Sequence, residues 1–423
     1  MIQSHLPYPS LRFIGGLTIL LFALLSCEPA GTQPSAEPAP PLDTALISAL
    51  DRAYPAFLDS TVSIQRFKLE DVLPVITQLP VPFKVDPDAA RSVEDRPLTR
   101  ITWGEGETSV LLWSQMHGNE PTATMALLDI FRFLAARSDG FDSLRTRLSQ
   151  QLTLTFLPVI NPDGTEIFER RNAQGIDLNR DFLRAAAPES RFLKSERERV
   201  GADWGFNLHD QSKYYGVGFP ARRGAAISLL APATDWEKTI TPVRGDAVRL
   251  TGRLFRIMEY LDEGRAARYS DDFEPRAFGD NFQLAGTRTI LIESGGLPND
   301  PEKQTIRKYN FIMLISALAA IADGSYARMS LDDNEAIPLN SSGALHDVIV
   351  RQVEVPTPDG GSYPLDISFR QYESTLPAPN HREYTINGSI TDVGDLSTST
   401  GYREVDAAGL RPVPGKVYPN AVS

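Results

Sequence analysis

The chain has 423 residues, 42% of them apolar and 23% charged, and a formal net charge of −12 at pH 7. These proportions belong to a globular protein with one large core and material for a second, smaller region, and they exclude a disordered chain. An acidic balance without any basic run argues against a nucleic-acid-binding surface, so no nucleic-acid partner is expected.

Arg12 precedes an apolar run, Phe13 to Leu25, too short to span a bilayer comfortably and right for the core of a signal peptide. It ends in Leu24-Leu25-Ser26-Cys27, which resembles the lipobox of bacterial lipoproteins, with Leu25 a less usual residue at its position. The resemblance implies that residues 1–27 are a lipoprotein signal and that Cys27 becomes a lipidated first residue. The protein would then be anchored in the bacterial cell envelope, as a periplasmic or outer-membrane lipoprotein, by acyl chains. Cys27 is the only cysteine, so the mature domain has no thiolate to offer a metal and no intramolecular disulfide. Residues 28–42, rich in Pro, Ala, Ser and Thr, read as a tether.

Beyond the tether, Leu42 to Tyr54 and Ile64 to Leu73 have helical periodicity, the second stopping at Pro74, and a loop with Pro80, Pro82 and Pro87 follows. Leu98 to Trp103 and Ser109 to Ser114 are predicted strands. The second leads into His117-Gly118-Asn119-Glu120-Pro121 and then a helix to about Arg137, begun at Pro121. Leu152 to Ile160 is another buried strand, running into the turn Asn161-Pro162-Asp163-Gly164. Ala202 to Leu208 is a strand ending on His209. A helix over Arg244 to Leu261 precedes an irregular polar loop, Asp262 to Gln283. Thr287 to Ile292 is a strand ending on Glu293 and closed by Gly295-Gly296, and Pro301 to Ala322 is a buried helix. Strands alternating with helices predict an α/β domain over 43–326, with a mixed, mostly parallel sheet covered by helices on both faces. From 331 to 423 the alternation of Val348 to Val355, Tyr363 to Tyr372 and Tyr384 to Ile390 predicts a small antiparallel β-rich region.

Four of these strands end in residues able to do chemistry. Of five histidines, only His117 and His209 fall in the α/β domain, and both stand at predicted strand ends, where open α/β sheets put their ligands. Two imidazoles and a carboxylate such as Glu120 make the donor set of a catalytic zinc, with a position left for water.

His117-Gly118-Asn119-Glu120, Asn161-Pro162-Asp163-Gly164, Asp177-Leu178-Asn179-Arg180, Asn207-Leu208-His209-Asp210 and Ile292-Glu293-Ser294-Gly295-Gly296 occur in the order found in zinc carboxypeptidases of the carboxypeptidase A type, which the chain resembles over roughly Thr44 to Ala322. The resemblance implies one Zn2+ held by His117, Glu120 and His209, with Glu293 as general base and acid. It implies that Asn179 and Arg180 bind a substrate's terminal carboxylate and that Asp177 hydrogen-bonds a zinc-ligand histidine. One arginine of the pair Arg170 and Arg171 matches an oxyanion-stabilising arginine, Arg170 the better by its spacing; Arg171 is then a substrate-binding candidate. A tyrosine commonly precedes the catalytic glutamate in this family; here Tyr269 lies far upstream of Glu293, and the role stays unassigned. Phe278 to Asn281 is the candidate stretch for the specificity pocket.

The expected activity is hydrolysis of a peptide bond beside a C-terminal residue, on a peptide or peptidoglycan-derived substrate with a free carboxylate. Two alternatives stay open. One is a zinc amidase or deacylase resembling the aspartoacylase and succinylglutamate desuccinylase group, which shares a His-x-x-Glu and an Asp-Leu-Asn-Arg, or a peptidoglycan stem-peptide amidohydrolase. The other is an inactive, lipid-anchored binding protein that keeps the fold.

Overall fold

The computed structural model describes residues 42–377 and 381–411. Residues 1–41, which include the expected signal segment, Cys27 and most of the expected tether, lie outside the described residues. The chain opens with helices α1 (Thr44–Phe57) and α2 (Leu69–Thr77), then strands β1 (Lys84–Arg91), β2 (Pro97–Trp103) and β3 (Thr108–Ser114). Helices α3 (Thr122–Ala135) and α4 (Asp142–Gln151), strand β4 (Leu152–Leu157) and helices α5 (Pro162–Ile167) and α6 (Pro188–Val200) follow. Next come β5 (Trp204–Asp210), β6 (Gly216–Val217), β7 (Ile227–Leu230), α7 (Pro242–Leu261), β8 (Ala266–Arg268), α8 (Phe278–Leu284), β9 (Arg288–Ser294) and α9 (Gln304–Ala322). After α10 (Asp332–Glu335) the chain is β-rich: β10 (Asn340–Ser341), β11 (Leu345–Pro356), β12 (Ser362–Thr375), β13 (Tyr384–Gly394) and β14 (Thr400–Asp406).

The main sheet has eight strands in the order β1-β2-β4-β3-β5-β9-β7-β8. Its centre, β4-β3-β5-β9, is parallel throughout, while β1-β2-β4 and the β9-β7 pair are antiparallel. The predicted mixed α/β sheet is thus present. Central strands are buried on both faces, as the continuous apolar runs Val110 to Trp113 and Ile290 to Ile292 require. One face is covered by α1, α3, α7 and α9 around Phe57, Phe133 and Phe311. The other packs Trp113, Phe192, Phe278 and Phe282. Helix α9 is apolar and long enough to cross a membrane, yet its residues from Phe311 to Ile321 are all buried in the core, as a buried helix was expected to be.

A buried ion pair locks α3 to α9. Asp129 accepts from Arg307 Nε at 2.7 Å, from the Tyr54 hydroxyl at 2.9 Å and from the Asp59 amide at 2.7 Å, so one carboxylate joins both helices to α1 and the segment after it.

Several elements differ from the sequence reading. The second helix covers Leu69–Thr77 with Pro74 inside it; Leu69, Val72 and Ile76 bury one face, and that burial outweighs the hydrogen bond a proline forfeits. The loop around Pro87 is the edge strand β1, where the register breaks between Asp86 and Ala90, so the proline falls at a ladder irregularity. The loop 262–283 contains β8 and the start of α8. The C-terminal sheet, ordered β13-β12-β11-β14, is mixed: β14 returns parallel to β11, pairing Leu345 with Thr400 and Arg351 with Asp406.

Candidate active site

Three adjacent parallel strands deliver the site. β5 and β9 pair in register with His209 opposite Glu293, so the two side chains leave the same face of the sheet side by side. β3 ends at Ser114, opposite Leu208. Gln115 then takes a left-handed conformation (φ 54°), and its side-chain amide donates to the Gly118 carbonyl at 3.1 Å, which shapes the loop bearing His117 and Glu120. A Cβ at Gly118 would overlap the Gly164–Thr165 backbone, so the first motif needs its glycine where it meets the start of α5. Asn161 caps that helix, accepting from the Gly164 amide at 2.9 Å. The buried Asp163 accepts from Ser92 Oγ and Arg96, a structural contact beneath the loop.

His117, Glu120 and His209 meet here, all buried. Glu120 Oε1 lies 2.7 Å from His117 Nδ1 and Oε2 lies 2.6 Å from His209 Nδ1. One ligand atom from each of the three falls within 4.8 Å of the others. Burial alone would raise the Glu120 carboxyl, but the two imidazoles hold it well below the usual carboxylate range. Burial would lower His117, and its carboxylate neighbours Glu120 and Asp177 outweigh that and raise it. His209 is lowered, because burial there wins over Glu120. Each Nδ1 thus lies within hydrogen-bond distance of one Glu120 oxygen. The same lone pairs, turned toward a common point in a buried place, form the two-histidine, one-carboxylate set that suits zinc.

The surrounding residues fix these rings. His117 Nε2 is 3.1 Å from Asp177 Oδ1, which also accepts the Asn179 amide N–H at 3.1 Å. Arg170 Nε donates to the other Asp177 oxygen at 3.1 Å, and its Nη1 reaches Glu120 Oε1 at 3.1 Å. Asn179 Oδ1 accepts from the Phe278 amide at 3.0 Å, turning its Nδ2 to within 3.4 Å of His209 Nε2. Asp210 is anchored below by Lys303 Nζ at 2.9 Å.

A cavity of about 370 Å³ opens above the trio, lined by Arg170, Asn179, Arg180 and Glu293 among others. Arg180 bonds the Asn179 carbonyl at 2.8 Å and lies 3.1 Å from Glu274. Glu293 is pushed well above the usual carboxylate range by burial, and further by the Glu120 and Asp210 carboxylates. Arg171 stands apart: its guanidinium turns to the Gly175 carbonyl at 2.9 Å and does not line the cavity, because the chain reverses direction between the two arginines and Gly175. Of the pair, Arg170 is the one brought to the site. Within the specificity stretch, Phe278 is a core residue and Asn281 folds back on the Pro275 and Ala277 carbonyls, leaving Gly279 and Asp280 on the cavity wall. Burial pushes Asp280 up to about 6. Tyr269, distant in sequence from Glu293, does line the cavity, since β8 carries it alongside β7, and its ring lies 5.6 Å from that of Tyr215. Tyr215 and Glu274 carry no local sequence signal; only the tertiary fold brings them in.

Residues 87–203 match the family model described as zinc carboxypeptidase, a span that includes His117, Glu120, Asp177 and Arg180 and ends before His209. An uncharacterized protein of Zymomonas mobilis is 29% identical over 123 residues, 28% of this chain and 32% of its own length. Carboxypeptidase E of Caenorhabditis elegans is 34% identical over 133 residues, 27% of each chain. The chain thus spans about a third or less of the length of these curated relatives. The crystal structure of a metallo-carboxypeptidase from Burkholderia cenocepacia shares the fold, with a TM-score of 0.50 at 20% identity over 61% of this chain and 70% of that one. Zinc is the metal of this family, and the trio of His117, Glu120 and His209 fits it. The sequence match over 87–203, the fold shared with a metallo-carboxypeptidase and the zinc-fitting trio agree, and together they support a zinc carboxypeptidase-like protein.

Proposed function

We propose that the protein is a metallocarboxypeptidase that hydrolyses the peptide bond beside a C-terminal residue. The observation that carries this reading is the shared cavity: the metal-fitting trio, Glu293 in register with His209, and the guanidinium groups of Arg170 and Arg180 all face it. His117, Glu120 and His209 would hold the zinc, which would supply Lewis acidity for activating water and polarising a carbonyl. Glu293 takes the proton from the attacking water on its carboxylate and hands it to the leaving amine nitrogen, a task for a carboxylate within reach of both. Arg170 faces the negative charge that develops on the carbonyl oxygen. Asn179 and Arg180 grip the terminal carboxylate, for which a planar, two-pronged donor is suited. Asp177 keeps His117 turned toward the metal position. The sequence of residues 24–27 supports attachment of this enzyme to a bacterial envelope membrane, with residues 43–326 as the catalytic domain and 331–423 as an accessory region.

The test is a four-way comparison of kcat/KM, wild type and Arg180→Ala against one peptide as free acid and as C-terminal amide. Amidation should cost wild type about 10–150-fold, the worth of a charged hydrogen bond. Arg180→Ala should lose as much on the free acid and almost nothing on the amide, since its partner is already gone. Equal cleavage of both forms by wild type would leave an endopeptidase or a small-molecule amidase as the better reading.

A further inference from the structure

The mechanism above leaves the C-terminal sheet without a part, yet that sheet reaches the cavity wall through one loop. Ser212 and Tyr215 line the cavity from the segment that follows β5. The two residues between them turn to the sheet. Lys213 Nζ lies 2.6 Å from Asp347 Oδ1 on β11, and the Tyr214 hydroxyl donates to Asp347 Oδ2. The Gln371 amide of β12 donates to that same oxygen at 2.6 Å, and the Arg370 guanidinium lies 4.5 Å from the centre of the Tyr214 ring. The Tyr402 hydroxyl of β14 donates to the Lys213 carbonyl. A residue further on, β6 pairs with β10, Gly216 opposite Ser341. From the other side, a Cβ at Gly296 would overlap Lys213, so the loop is wedged between the Gly-Gly that follows Glu293 and the sheet.

Asp347 is the hub. Its side chain is 12% exposed and takes an ammonium, a phenol and a backbone amide, three donors from two separate parts of the chain. Charge-assisted bonds to a largely buried carboxylate are the strong kind. They hold the loop at its midpoint, between two cavity-lining side chains. The Tyr215 ring, against that of Tyr269, carries the constraint across to the segment that leads toward Glu293.

We propose that Asp347 is a positioning residue for the active site: by gripping Lys213 and Tyr214 it holds Ser212 and Tyr215 as a fixed wall of the cavity, so that the C-terminal sheet sets how tightly substrate is bound. The proposal rests on the cavity being the substrate site. The sheet has a second attachment to the body, through Arg66 to Glu373 at 2.7 Å and Arg382 to Glu70 at 2.8 Å, on residues that do not line the cavity. That attachment supplies the control.

The experiment uses the zinc-loaded, full-length protein as Asp347→Asn, Tyr214→Phe and Arg382→Ala. Asp347→Asn should raise KM for the free-acid peptide about tenfold while kcat stays within about threefold, because the trio and Glu293 sit on or next to β3, β5 and β9, which the change does not touch. Tyr214→Phe should shift KM the same way by about threefold, and the double variant should lose less than the product of the two. Amide hydrogen exchange over 212–218 should speed up in both variants with zinc content unchanged. Arg382→Ala should lower the melting temperature and move neither KM nor exchange in that segment. Unchanged KM and exchange in Asp347→Asn, or equal shifts in Arg382→Ala, would overturn the proposal and make the sheet a brace only. If Asp347→Asn does not fold, Tyr214→Phe, which deletes one hydroxyl, decides alone. A wild type that cleaves no peptide defeats the carboxypeptidase reading instead, and the exchange comparison still tells whether Asp347 holds the loop.

Discussion

Asp177→Asn tests the site where its geometry makes the firmest demand. The His117 ring is flanked by two carboxylates: Nδ1 faces Glu120 at 2.7 Å, and Nε2 faces Asp177 Oδ1 at 3.1 Å. Burial would raise the Asp177 carboxyl, but the bond from His117 and the charges of His117 and Arg170 hold it well below the usual carboxylate range. It is therefore an anion at neutral pH, able only to accept, which keeps a proton on Nε2 and frees Nδ1 for a metal. Asparagine keeps the shape and loses the charge. With its amide nitrogen toward the ring it asks Nε2 to accept, moving the ring proton to Nδ1, where it competes with zinc; with its oxygen toward the ring it restores a weaker, neutral bond. Loss of such a supporting carboxylate typically weakens metal affinity about 10–100-fold, which corresponds to about 1.4–2.7 kcal/mol. The assay is zinc competition against a chromophoric chelator at neutral pH, with far-UV circular dichroism to confirm that the variant folds. A zinc Kd within twofold of wild type in a folded variant would refute the claim that Asp177 holds the ring.

Glu293→Gln should keep stoichiometric zinc and lower kcat by about 10²–10⁴-fold, because the ligands remain and the proton carrier is gone; turnover near wild type would remove Glu293 from the mechanism. Arg307→Met should cost about 3–5 kcal/mol in urea titrations by leaving Asp129 charged and unpaired in the core, whereas adding Asp129→Leu should restore most of it; a loss under about 1 kcal/mol would mean the pair is not a lock. Cys27→Ala should move the protein from the membrane to the soluble fraction, and full retention on membranes would end the lipobox reading.

The sequence made the centre of this molecule legible and its rim obscure, for physical reasons. Strands β3 and β9 are buried on both faces and read as apolar runs, Val110 to Trp113 and Ile290 to Ile292, while β5 keeps Trp204, Phe206 and Leu208 with Asn207 between them, and the residues at their ends stand out. His117, Glu120, His209 and Glu293 were recoverable because each lies at or just past such an end. Edge elements gave weaker signals: β1 contains a proline, and β8 is three residues long. Side-chain direction on loops was not legible at all. Arg170 and Arg171 are neighbours, and only the bonds of the folded chain turn one inward to Asp177 and the other to Gly175. Tyr269 looked too remote because its distance was counted along the chain, while β8 brings it back across the sheet edge. In the C-terminal sheet alternation revealed β11, β12 and β13, but β14, which returns parallel to β11, was not among the predicted strands.

The lock between Asp129 and Arg307 spans 178 positions, and that separation sets an order of events during synthesis. When α3 leaves the ribosome its carboxylate has no cation to meet, and the apolar faces of α1 and α3 must wait for α9, the helix that covers them. Glu293 emerges only fourteen residues before Arg307. Glu293 and the bolt that closes the core therefore arrive almost together, after His117, Glu120 and His209. An expression fragment ended ahead of residue 304 would lack the bolt, and should be handled in the cell as an unfinished protein.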